Sequence, residues 1–247
     1  MLLDGMLVTI QISLGAILLG LLIGSVMAYF KLTEVTLYLS WDRINFFLKL
    51  KIYKIFRAIA FVYLGIIRGT PTVTQILLVN AIIFAGFRGN RIWIGIVALG
   101  INSGAYVAEI IRAGIMSVDK GQLEAGLSLG FTKFQTMRYI IMPQAVKNII
   151  PTFINEFIVL IKETAIVGFV AITDVTRVAQ AIMGRTMEFT PLLVSAVMYL
   201  TMISILTALL SLVERRLRAS DRDAAAVPRV KKRDSKFWDR LKGGDSS

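Results

Sequence analysis

Cysteine and histidine are both absent from this chain. Their absence excludes disulfides, thiolate nucleophiles, imidazole metal ligands and His-based acid–base catalysis. Charge is scarce as well: 18% of the residues are charged and 56% hydrophobic, against about 25% charged in a soluble domain. No GxxxxGK run followed by Ser or Thr is present, so no nucleotide-hydrolysing loop of that kind lies in the chain. Proline occurs only five times, and inside an apolar run each one marks a start, a kink or a break.

What is present is a membrane protein's pattern. Five apolar stretches, 6–30, 58–86, 93–116, 144–161 and 192–213, read as transmembrane helices. The first has no basic region before it and no small-residue cleavage site after it, so it is expected to be a retained span rather than a signal peptide. Within it, Gly20 and Gly24 have the spacing that lets two helices approach closely. Residues 31–57 alternate basic with aromatic and aliphatic side chains, as expected of a helix lying on the cytoplasmic membrane surface against lipid.

The net charge of +12 is a topology signal here and not a nucleic-acid footprint. Eleven of the 28 Lys and Arg lie beyond Val213, and most of the others fall in 31–57 and 117–147. The opposite segments hold only Arg88, Arg91, Arg177 and Arg185. The positive-inside rule then places the N-terminus outside and the C-terminus in the cytoplasm. Residues 1–218 form the expected transmembrane domain. Residues 219–247, small, polar and basic, form an expected cytoplasmic tail without stable structure of its own.

Between the third and fourth spans lies a long polar stretch, 119–143, which this orientation puts in the cytoplasm. It carries Glu124, Ala125 and Gly126, then Gly130, then Ile140 and Pro143. Two short helices, 122–129 and 132–142, are expected on either side of Gly130, whose missing Cβ permits a left-handed corner. Thr132 is the expected N-cap of the second, and Pro143 suits the first turn of the next helix.

This spacing resembles the EAA loop of permease subunits of ATP-binding-cassette importers, with Gly126 in place of the second Ala and Met142 in place of a Leu. Two further stretches resemble the polar amino-acid branch of that family. One is Arg68-Gly69-Thr70-Pro71 followed by Gln75; the other runs from Asn102 through Glu109 to Arg112. The resemblance implies an all-α type I importer permease fold of about five spans in a bacterial or archaeal cell membrane. It also implies two partner ATPase subunits that bind ATP and magnesium and dock on the loop, a second permease copy or homologue, and an extracytoplasmic amino-acid-binding protein. Glu124, Ala125, Gly126, Gly130 and Pro143 would be the coupling residues, and the chain would be no enzyme by itself.

Within the spans, Asn102 lies about 13 Å below Trp93 at 1.5 Å per residue, and Glu156 reaches a similar depth on the fourth span. Intramembrane carboxylates mark a pathway or a partner. Glu156, Asn102, Arg68 and Thr70 are therefore the candidate substrate-path residues, with Glu156 and Asn102 expected to face one cavity. A Glu156–Arg68 ion pair is the structural alternative. A path carboxylate favours a basic amino acid, with glutamine or glutamate as the alternative. A secondary transporter or channel without an ATPase is the competing class, but it leaves the cytoplasmic loop unexplained and would normally show a repeat. No residue pattern points to a metal site or to a bound cofactor.

Overall fold

The computed structural model describes the backbone of residues 1–32 and 46–225 and the side chains of 1–32 and 54–217. Every regular element among them is helical: α1 (Leu2–Leu32), α2 (Phe46–Gly69), α3 (Thr72–Ile82), α4 (Ile92–Met116), α5 (Lys120–Ser128), α6 (Lys133–Thr136), α7 (Met142–Glu163), α8 (Val175–Thr186) and α9 (Thr190–Ala225). A π turn, Met137–Ile141, joins α6 to α7, and a 3-10 segment, Thr164–Val170, follows α7. Met1–Leu210 form one compact unit, and a second begins at Ser211.

The hub is α4. Its closest neighbour is α1, which packs along most of its length, and glycines set the distance. A Cβ on Gly24 would lie 2.7 Å from Val107 Cβ, and one on Gly100 would lie 2.7 Å from Leu19 Cδ2. Without those carbons the two backbones approach closely and bury Ile12, Ala16, Leu99 and Val107 between them. The expected role of the Gly20–Gly24 pair in packing is what the fold contains: Gly20 faces Ser103, and Gly24 faces Val107 and Ala108.

Among the described residues three helices, α1, α4 and Thr190–Leu217 of α9, are long and apolar enough to cross a membrane. The expected fourth span, α7, has the length, but Lys147, Glu156, Lys162 and Glu163 make it more polar than α1 or α4. The second hydrophobic stretch is interrupted at Pro71, where a bend or break is expected. Lys54–Gly69 and Thr72–Ile83 turn through 114° at the Thr70–Pro71 break, far beyond an ordinary proline kink. The expected surface helix of 31–57 falls only partly within the described residues. From Phe46 onward it is the first part of α2, because nothing between Phe46 and Gly65 breaks a helix. Phe56 stacks on Phe30 with ring centroids 4.7 Å apart, which holds this part of α2 beside the end of α1; residues 33–45 lie outside the described residues.

Beyond α7, Asp174 caps α8. Its buried carboxylate accepts from the backbone N–H groups of Thr176 and Arg177, each at 3.0 Å, and from the Tyr199 hydroxyl at 3.1 Å. Burial raises its pKa against the opposing pull of these hydrogen bonds. The tail boundary expected at Ala219 falls inside α9, which runs to Ala225, and residues 226–247 lie outside the described residues.

Candidate functional site

Two regions hold the residues singled out from the sequence. The first is the loop between α4 and α7. Asp119 caps α5, its carboxylate accepting from Gly121 N at 2.6 Å. The helix ends at the expected corner: Gly130 has φ +83°, and a side chain there would be strained. Phe131 N donates to the Gly126 carbonyl (3.1 Å) and Gly130 N to the Leu127 carbonyl (3.0 Å), the paired bonds of a Schellman ending. Thr132 then caps α6 as expected, and Gln135 reaches back to its N–H at 2.8 Å, completing a capping box.

Gly126, where the EAA pattern has Ala, is buried against α6. A Cβ at this position would lie 2.4 Å from Thr136 Cγ2. The glycine and the buried Thr136 therefore fit each other, and they clamp α5 onto α6. The second loop helix does not end before the span. It passes through the π turn straight into α7, with Pro143 in the first turn, so α6, the π turn and α7 form one rod. Side chains brace its base: Asn148 Nδ2 donates to Ser117 Oγ at 2.8 Å. Glu124 and Ala125 are exposed. Leu129 (74%), Phe134 (59%) and Phe131 (40%) are exposed apolar groups around the corner.

The second region is the polar middle of α4. Asn102 is 1% exposed; its Nδ2 donates to Gln75 Oε1 on α3 at 2.9 Å. Gln75 Nε2 in turn donates to the Ile67 carbonyl (2.8 Å), the Thr70 carbonyl (3.0 Å) and Thr70 Oγ1 (2.8 Å). Ser103 Oγ donates to Glu156 Oε1 on α7 at 2.9 Å, and the Tyr63 hydroxyl of α2 donates to the Ile101 carbonyl at 2.5 Å. The Arg68 guanidinium lies over the Tyr106 ring, 5.8 Å from its centroid.

The expected meeting of Asn102 with Glu156 is thus indirect. Asn102 turns to α3, and its neighbour Ser103 takes the carboxylate. The alternative Glu156–Arg68 ion pair is absent among the described residues: the carboxylate accepts from Ser103 and the guanidinium lies over Tyr106. Glu109 does pair with Arg112 as its spacing suggested, and Lys31 of α1 closes on the other carboxylate oxygen at 2.8 Å. Among the described residues no cluster of three or more Asp or Glu could hold a metal ion. Ser103, Tyr63 and Lys31 were not legible as partners from the sequence. A lone small hydroxyl, a tyrosine and a helix-end lysine carry no motif, and only the packing around α4 brings them together.

A helical membrane subunit with a glycine-cornered loop and a polar hub helix defines the class: a permease of the ATP-binding-cassette importers. The chain belongs to the family of binding-protein-dependent transport system inner membrane components, whose profile matches residues 45–219. It is similar to the arginine transport system permease protein ArtQ of Bacillus subtilis strain 168, with 36% identity over 222 residues, covering 89% of this chain and 93% of the relative. The glutamine transport system permease protein GlnP of Escherichia coli K12 is 36% identical over 166 residues, 65% of this chain and 75% of that one. Among solved structures, an amino acid ABC transporter with histidines superposes with TM-score 0.75 and 40% identity, covering 87% of this chain and 93% of that chain. The inward-facing MetNI methionine transporter, 18% identical with TM-score 0.67 over 87% of this chain and 95% of that one, shares the type I importer fold.

Proposed function

We propose that this chain is the translocation subunit of an ATP-driven amino-acid importer, with a basic amino acid as its substrate. The observation that carries the substrate reading is the pair Glu156 and Arg68. Ser103 and Tyr106, which hold them, are three residues apart on α4 and so share a face. The two charges lie beside that face without neutralising each other. An amino acid brings an ammonium for the carboxylate and a carboxylate for the guanidinium. A cationic side chain gains further from fixed negative charge in a poorly solvated path.

Coupling is assigned to the loop. Glu124, Ala125, Gly126, Gly130 and Pro143 build a rigid pin continuous with α7, and the apolar corner of Leu129, Phe131 and Phe134 suits docking on an ATPase subunit. Two such ATPases, which bind ATP and magnesium, a second permease copy or homologue, and an extracytoplasmic binding protein complete the machine in a bacterial or archaeal inner membrane. The relatives' names divide between arginine and glutamine, so glutamine is the second candidate. The test is the complex reconstituted with its ATPase and binding protein and titrated with each of the common amino acids. Basic amino acids are expected to stimulate ATP hydrolysis most; stimulation by glutamine alone would replace the substrate assignment.

A further inference from the structure

Pro71 has no N–H, so the Ile67 carbonyl four residues earlier loses its helical partner at the 114° corner between α2 and α3. Gln75 Nε2 occupies that place, donating to the Ile67 carbonyl at 2.8 Å, and it also holds the Thr70 carbonyl and hydroxyl. Thr70 Oγ1 completes the knot by donating to the Ile66 carbonyl at 2.8 Å. The other end of the same amide accepts from Asn102 of α4. Gln75 is 8% exposed and Asn102 1%, so neither amide has water to fall back on, and each depends on the other for its orientation.

We propose that Gln75 is the positioning residue of the candidate substrate path: one side-chain amide replaces the backbone donor missing at Pro71 and fastens the corner to Asn102 on the hub helix. The corner carries Arg68 and Thr70, and α4 carries Ser103 and Tyr106. The Gln75 amide therefore sets where the cation and hydroxyl of one wall stand relative to the carboxylate held by the other. Glutamine suits this position chemically because it donates and accepts at once. An ionised glutamate in the same volume still accepts from Asn102 but donates nothing to the corner, a protonated one donates a single O–H in place of the two N–H groups, and methionine does neither. The inference rests on the proposed function only for its transport readout.

The chain contains no cysteine, so a single Gly69→Cys thiol reports on the corner alone. A Cβ on Gly69 would meet nothing within 4 Å, and the reporter adds no clash. Maleimide labelling of that thiol in native membranes, with and without Gln75→Glu, reads corner geometry whatever the chain transports. Loss of the amide donor to the corner predicts labelling faster by about fivefold or more, and a half-saturating amino-acid concentration raised by about as much, at unchanged maximal rate and abundance. Gln75→Met is expected to act likewise and serves if Gln75→Glu fails to accumulate. Faster labelling without measurable uptake even in the parent chain would support the positioning role and remove the transport reading. Unchanged labelling would overturn the positioning role. A fall in abundance and maximal rate at constant half-saturation would also overturn it, since that marks a purely structural residue.

Discussion

The two sides of α4 differ in chemistry. Toward α1 the seam is mostly apolar and glycine-spaced, with Gly20, Gly24 and Gly100 bringing backbones together over Ile12, Ala16 and Leu99, and it ends in the ion pair of Lys31 with Glu109. Toward α2, α3 and α7 the same helix presents Asn102, Ser103 and Tyr106, each matched by one polar or charged partner. In lipid the first arrangement depends on close van der Waals contact. The second consists of hydrogen bonds and a cation–π contact, which under the proposed function a passing solute would replace. The α1–α4 pair would then support a face whose partners are replaceable.

Substitutions on the two sides should fail differently. The largest effect is expected for Gly24→Leu: its Cβ would stand 2.7 Å from Val107 Cβ and 2.9 Å from the Ala108 backbone nitrogen. Overpacking of this kind costs about 1–3 kcal/mol or more, and the expected outcome is loss of folded protein, read as abundance and thermal unfolding in detergent. Next is Gly130→Val in the coupling corner, where a β-branched residue at φ +83° is strained by about 1–3 kcal/mol. The chain should insert normally, while uptake and substrate-stimulated ATP hydrolysis fall together; preserved transport at normal abundance would remove the pin role of the loop.

A smaller effect is expected at Ser103, which touches both sides. Ser103→Ala leaves the seam intact, because the methyl fits beside Gly20, but removes the donor to Glu156. The half-saturating substrate concentration should rise by about fivefold, the equivalent of one net hydrogen bond, with unfolding temperature unchanged. A drop in stability instead would place Ser103 with the seam. Smallest of all, stopping the chain after Arg218 should leave uptake within about twofold, roughly 0.4 kcal/mol, because the removed residues have too little apolar surface to fold alone and supply mainly positive charge.

Much of this was legible in the sequence. The glycine corner, the Thr132 cap, the break at Pro71 and the Glu109–Arg112 pair each depend on local spacing, and local rules suffice for them. The rest depends on which helix faces which. No spacing rule shows that Asn102 turns to Gln75, that Ser103 meets Glu156 across 53 residues, or that Lys31 closes on Glu109. The continuity of α6 through the π turn into α7 was hidden for another reason: Pro143 marks a helix start equally well after a loop or after a π turn, which already lacks the ordinary i→i−4 bonds.

Under the proposed function Glu156 receives the positive group of the passing amino acid, while the seam behind it only supports. That role is tested most directly by arginine uptake into vesicles holding the reconstituted complex, with the parent chain and with Glu156→Gln. The amide keeps the shape and the acceptor for Ser103 and removes only the charge. The half-saturating arginine concentration is expected to rise by about tenfold or more, about 1.4 kcal/mol, with the complex intact and its unfolding temperature unchanged. Uptake equal to the parent's, or a complex that falls apart in detergent, would contradict it.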